Sequence, residues 1–176
     1  TTLSGRYGPS SFDRITLFVN PLLQRAFNDG SGVLGASRRY FRRGDYGLQL
    51  IAHEIAHNWW GATVTEQWLS PGTGGQWIVE GFAEASSLFV VEAQHGARTL
   101  TRHRAGEFFD PTRQHAIASL SMLDNALGDD TMRHSIYRKG AYAALMLRQI
   151  LGDAVFFAAV PNFLERYRYQ QVTDRD

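Results

Sequence analysis

His53-Glu54-Ile55-Ala56-His57 constrains this chain more than any other run of its residues. If the segment is helical, residues four apart lie one above the other on a single face. His53 and His57 can then aim two ring nitrogens at one ion, with Glu54 beside them to handle a proton. That is the arrangement of a zinc hydrolase, in which the metal activates water and the glutamate serves as general base. The competing reading is two histidines on an amphipathic helix paired with something else, so support has to come from the rest of the chain.

At 176 residues and 44% hydrophobic content, the chain is long enough for one domain with a sizeable core. A net charge of +1 points to neither a nucleic acid nor an anionic membrane as partner. Lys139 is the only lysine, and Arg38, Arg39, Arg42 and Arg43 form the only basic cluster, read as a solvated surface. With no cysteine there is neither a disulfide framework nor a thiolate metal site. A bacterial extracytoplasmic or membrane-associated setting stays open, since secreted bacterial domains can also lack cysteine. The sequence has no apolar run of about 18 residues and no signal-peptide pattern. The start at Thr1 and the polar ending from Gln170 to Asp176 read as a piece of something longer.

Periodicity predicts a mostly helical chain with a small β component at its N-terminal end. Ile15 to Asn20 reads as a short strand closed by Pro21, and Asn28 to Gly35 as a glycine-rich loop next to an edge strand. A helix capped near Asp45 should carry Leu48, Ile51, Ala52, Ile55 and Trp59 toward the core, with the histidines on a neighbouring side and Gly61 as its stop. Ser70 to Gly75 reads as a turn-rich insertion, followed by a helix from Ile78 to Gln94 with Ile78, Phe82, Ala85 and Phe89 buried. Residues 97–136 read as helical pieces broken at Asp110-Pro111 and Gly128. A helix should span Gly140 to Leu151, and another, capped by Asp153, should kink or restart at Pro161. Trp59, Trp60, Trp68 and Trp77 should pack the two metal-bearing helices together.

Catalytic zinc usually takes three protein ligands and keeps a position for water. Glu80, opening the second helix, is the candidate third ligand, and Gly81 beside it allows another backbone to approach closely. Glu84, one turn on, is placed to accept the other N–H of a metal-bound histidine. The alternative for both is a solvated helix edge. His95, His103, His115 and His134 show no ligand spacing among themselves.

Residues 53–61 (HEIAHNWWG) followed by 77–83 (WIVEGFA) resemble the zinc signature of the M1 aminopeptidases, which are gluzincins. Residues 137–141 (YRKGA) resemble that family's downstream Y-x-K-G-A motif, and the likeness runs over roughly residues 6 to 172. The resemblance implies an α+β, mostly helical, thermolysin-like zincin catalytic domain over 1–176, with a small N-terminal β-sheet, as a fragment of a longer protein. It implies one Zn2+ bound by His53, His57 and Glu80, with Glu54 as base and Tyr137 as hydrogen-bond donor to the oxyanion. The implied substrate is a peptide, and the flanking domains missing from this chain would complete the cleft.

Two departures bear on substrate choice. Asn58 to Val79 is twenty-two residues, four more than the family's usual spacing, and the excess falls in Ser70 to Gly75. A loop absorbs four residues at small entropic cost, so Glu80 stays the expected ligand; Gln76, near the usual spacing, lacks charge and motif context. The family's G-x-M-E-N motif, whose Glu holds the substrate amine, is absent. Aligning Gly32 with the glycine after that motif places Asp29 at the Glu position, as a shorter amine anchor or simply a turn residue. An aminopeptidase is therefore expected, with an endopeptidase or broader peptide hydrolase as second reading and a non-catalytic peptide-binding module as third.

Overall fold

Helix α3 (Gly75–His95) runs through the middle of the molecule and is buried on nearly all sides. The computed structural model describes residues 2–66, 75–98 and 135–176. Around α3 stand α1 (Thr2–Tyr7), α2 (Asp45–Ala56), α4 (Gly140–Leu151) and α5 (Asp153–Arg166). A three-stranded sheet has the order β1 (Thr16–Val19), β3 (Val33–Ala36), β2 (Phe27–Asn28), with β1 parallel and β2 antiparallel to β3. A second, two-stranded sheet pairs β4 (Val64–Glu66) in parallel with β5 (Gln170–Val172), so the β component extends beyond the N-terminal end. The insertion at residues 70–74, the pieces expected over 99–134, Trp68, His103, His115 and His134 lie outside the described residues.

The main core gathers Trp59, Trp60, Leu88, Phe89, Leu145 and Phe156 around α3. Each such side chain contributes roughly 1.5–3 kcal/mol through the apolar surface it removes from water. Trp60, just past α2, packs on Phe82 of α3 with ring centroids 4.4 Å apart, the expected packing between the two helices, whereas Trp77 meets Phe82 within α3 itself. A smaller cluster of Leu34, Ala36 and Tyr40 packs against Leu50, Ile51 and Ile55 and seats the sheet on α2.

Helix α2 is thus gripped from two sides, as its apolar stripe predicts. Ile51 packs on the sheet cluster, Ile55 on both clusters, and Ala52 is buried, with Trp59 in the main core just past the helix. His53 and His57 project from a neighbouring side of α2 into the cavity. The helix also ends at Ala56, before Trp59 and well before Gly61. Gly61 instead takes a φ of 130° and donates its N–H to the Val64 carbonyl at 2.7 Å, closing the turn into β4.

Other boundaries shift for local reasons. Gly44 and Gly152 occupy the N-cap positions, so Asp45 and Asp153 are first helical residues and not caps. Asp153 is held by Arg148 at 2.8 Å. α5 continues through Pro161 to Arg166 without restarting. The ring costs one backbone hydrogen bond, but Phe156, Val160 and Leu164 anchor both halves in the core. α1 was hidden by its serine and glycine; it is held by Tyr7, whose hydroxyl meets Ser86 Oγ at 2.8 Å.

One close approach decides where the downstream motif lands. A Cβ on Gly81 would lie 2.6 Å from Gly140 Cα, and one on Gly140 would lie 2.9 Å from Gly81 Cα. Only the two glycines let α3 and α4 cross at this separation. The π-helical turn Ser135–Lys139 leads directly into α4, and it carries Tyr137 to the residues flanking Gly81.

Candidate metal centre

His53 and His57 project from the last turn of α2 toward the first turns of α3. Their Nε2 atoms lie 3.2 Å apart. Glu80 Oε2 is 3.3 Å from the first and 3.4 Å from the second. The three donor atoms all fall within 4.8 Å of one another. Helix spacing explains the pair, and the packing of α2 on α3 supplies the carboxylate.

The opposite ring nitrogens determine which way the lone pairs point. His57 Nδ1 donates to the Trp60 carbonyl at 2.8 Å, which leaves Nε2 as the free electron pair. His53 Nδ1 lies 2.9 Å from Glu84 Oε2, close enough to pair though not aligned for a full hydrogen bond. Glu84 is itself held by Gln49 Nε2, which donates to Oε1 at 2.7 Å. Glu80 Oε2 is buried and accepts no hydrogen bond among the described residues, although it faces both imidazoles. Two nitrogens and one carboxylate oxygen around a common point fit Zn2+ with a fourth position left for water.

Charge is arranged accordingly. Burial works against protonation of His53, but Glu80 and Glu84 outweigh it and hold the ring well above its ordinary pKa. His57 is raised in the same way by Glu80. Glu80 is held far below the usual carboxylate range: burial opposes this, and His57 and His53 overcome it. Glu54, only 7% exposed, is pushed up by burial, with partial relief from the two histidines.

Tyr137 stacks on His53, with centroids 5.5 Å apart and planes 20° from parallel. Burial first, then the Glu80 carboxylate, raises its phenol far above the ordinary value, so it stays a donor at working pH. A cavity of about 660 Å³ brings together His53, Glu54, His57, Glu80, Glu84 and Tyr137. Its outer rim is formed by Arg25, Phe27, Asn28 and Asp29 on and beside β2. Asp29 is exposed, and its Oδ1 accepts from the Ser31 N–H, the Ser31 hydroxyl and the Val33 N–H. Those bonds lower its pKa and make it the turn residue between β2 and β3. Gln76 is buried one turn before Glu80 and is not in the donor group.

Three contributors escaped the sequence reading: Gln49, Asn28 and the Trp60 carbonyl. Gln49 had a usable signal, as a polar residue exactly one turn before His53 on the same helix face. The other two depend on long-range or backbone contacts that no periodicity reveals.

With this geometry in place, comparison with known proteins settles the family. The sequence profile of the Peptidase family M1 domain matches residues 39–176. The chain belongs to peptidase family M1. Aminopeptidase M1-B of Oryza sativa subsp. japonica is 30% identical over 131 residues, 72% of this chain and 14% of that protein. Endoplasmic reticulum aminopeptidase 1 of Homo sapiens is 26% identical over 131 residues, again 72% and 14%. The fold matches an M1 zinc metallopeptidase from Deinococcus radiodurans with a TM-score of 0.75 at 22% identity, covering 99% of this chain and 36% of that one. Leukotriene A4 hydrolase from Saccharomyces cerevisiae gives a TM-score of 0.76 at 18% identity, covering 99% and 29%. The M1 chain thus spans a small part of each relative's length. The expected α+β, mostly helical zincin architecture is the one found.

Proposed function

We propose that this chain carries the hydrolytic site of a zinc-dependent aminopeptidase acting on peptides. The observation that carries the reading is the convergence of His53 Nε2, His57 Nε2 and the orphaned Glu80 Oε2 on one point. Zn2+ held there supplies a Lewis acid and brings the pKa of coordinated water to about 7. Glu84, backed by Gln49, and the Trp60 carbonyl orient the two imidazoles. Residues 1–176 then form a thermolysin-like catalytic domain, and further domains of the same polypeptide complete the cleft, as the small share of each relative's length supports.

Glu54 takes a proton from the attacking water and returns it to the leaving amine, an effect on the order of 10²–10⁴-fold. Burial raises its pKa above the ordinary carboxylate value, which strengthens it as a proton acceptor. Tyr137 donates to the oxyanion from a position fixed by the Gly81–Gly140 crossing. Asp29 offers the substrate ammonium its second carboxylate oxygen, since its hydrogen bonds within the described residues all fall on Oδ1.

The test is Glu54→Gln assayed on a short peptide panel, with metal content measured in parallel. Turnover should fall by about 10²-fold or more with zinc retained. Unchanged hydrolysis would overturn the mechanism. The second reading, a peptide hydrolase indifferent to the free amine, is favoured by the exposure of Asp29 and its use in a turn. Equal turnover of a free and an N-acetylated peptide would establish it over the first.

A further inference from the structure

The Asn28 side chain joins two parts of the cavity that the chemistry needs in register. Its Nδ2 donates to the backbone carbonyl of Glu54 at 2.6 Å, while its Oδ1 accepts the Gly30 N–H at 2.9 Å. The Glu54 carbonyl lies in the last turn of α2, where carbonyls run short of N–H partners. The Asn58 N–H, which would serve it in a continuing helix, turns to the Ile55 carbonyl instead. Asn28 therefore caps the end of the metal-bearing helix at the residue that carries the base.

The other end of the same side chain belongs to the rim. Asn28 is the last residue of β2, an edge strand of the sheet, and Phe27, Asn28 and Asp29 all line the cavity. The strand is two residues long, and its pairing with β3 at Phe27 and Asn28 continues at Asp29, whose N–H donates to the Val33 carbonyl and whose Oδ1 accepts the Val33 N–H. So short a ladder gains from a second attachment to α2.

We propose that Asn28 is a positioning residue that locks the substrate-lining strand β2 to Glu54, so that base and bound peptide keep a fixed separation. The proposal rests on the peptidase reading for its kinetic consequence, but the tie itself is testable without it. A misplacement of the order of 1 Å between base and substrate costs up to about 10²-fold in rate. The bond stands outside the metal ligands, so its loss leaves the zinc in place.

Three variants separate the bonds. Asn28→Ala removes both, Asn28→Asp keeps an acceptor for Gly30 but removes the donor to Glu54, and Asn28→Gln keeps a donor of longer reach. Asn28→Ala and Asn28→Asp should lower kcat by about 10-fold with KM shifted much less, zinc content unchanged, and hydrogen–deuterium exchange raised in residues 27–30 and in the last turn of α2. Asn28→Gln should recover most of both signals. Wild-type kinetics for Asn28→Asp, or a loss of kcat that tracks loss of zinc or of fold, would overturn the proposal. If the wild-type chain cuts no peptide, the peptidase reading fails, and the exchange pattern alone decides the tie: unchanged exchange in Asn28→Asp refutes it.

Discussion

On the inner wall of the cavity His53, Glu80 and Glu84 are held between two packed helices, whereas on the rim Asp29 is held by its own turn. His53 and Glu80 are screened from water by the crossing of α2 on α3, and Glu84 is pinned by Gln49 from the facing helix. The rim rests on a two-residue strand, and its Arg25, Phe27 and Asp29 are exposed. On the proposed function, the inner wall fixes atoms to the tolerance that metal and proton chemistry require, and the rim is where substrate selection would vary without disturbing that chemistry.

Tyr137→Phe tests the inner wall with the largest effect. Removing the proposed oxyanion donor should cost about 10²–10³ in kcat with little change in zinc affinity. A loss below tenfold would move Tyr137 from the chemistry to packing against His53. Gln49→Ala should act next, through Glu84 and His53, and weaken zinc binding by about 10–100-fold when affinity is measured by competition with a chelator. An unchanged affinity would show that the Gln49–Glu84 bond does not orient the ligand. Asp29→Asn keeps the Oδ1 acceptor of the turn and removes the charge, so it probes the rim with the smallest effect. It should narrow the preference for a free over an N-acetylated peptide while stability changes by less than about 0.5 kcal/mol. An unchanged preference would leave Asp29 a turn residue.

The same contrast explains what the sequence made legible. His53, Glu54 and His57 could be read because a fixed spacing on a helix dictates a shared face. Glu80 could be read from its place at the start of the second helix beside Gly81, and Tyr137 only from the resemblance of residues 137–141 to the family motif; Gly81 and Gly140 are what bring the two helices together. The helices Gly140–Leu151 and, within a few residues, Gly75–His95 followed from apolar periodicity and their glycine stops. The end of α2 did not, because the chain leaves the helix after Ala56 and brings Trp59 and Trp60 into the core from the turn that follows. Asn28 was illegible for a different reason: its partner is a backbone carbonyl twenty-six residues away.

Metal loading also carries a sign. In the metal-free chain His53 is held above its ordinary pKa by Glu80 and Glu84, and His57 by Glu80, so zinc must displace protons and its affinity should strengthen as pH rises through neutrality.

Zinc stoichiometry across ligand variants is the most direct measurement of the central claim. The wild-type chain and Glu54→Gln should each retain one zinc per chain, and His53→Ala, His57→Ala and Glu80→Ala should each lose it. A wild-type chain that takes up no zinc, or a Glu80→Ala variant that binds it as tightly as wild type, would contradict the account.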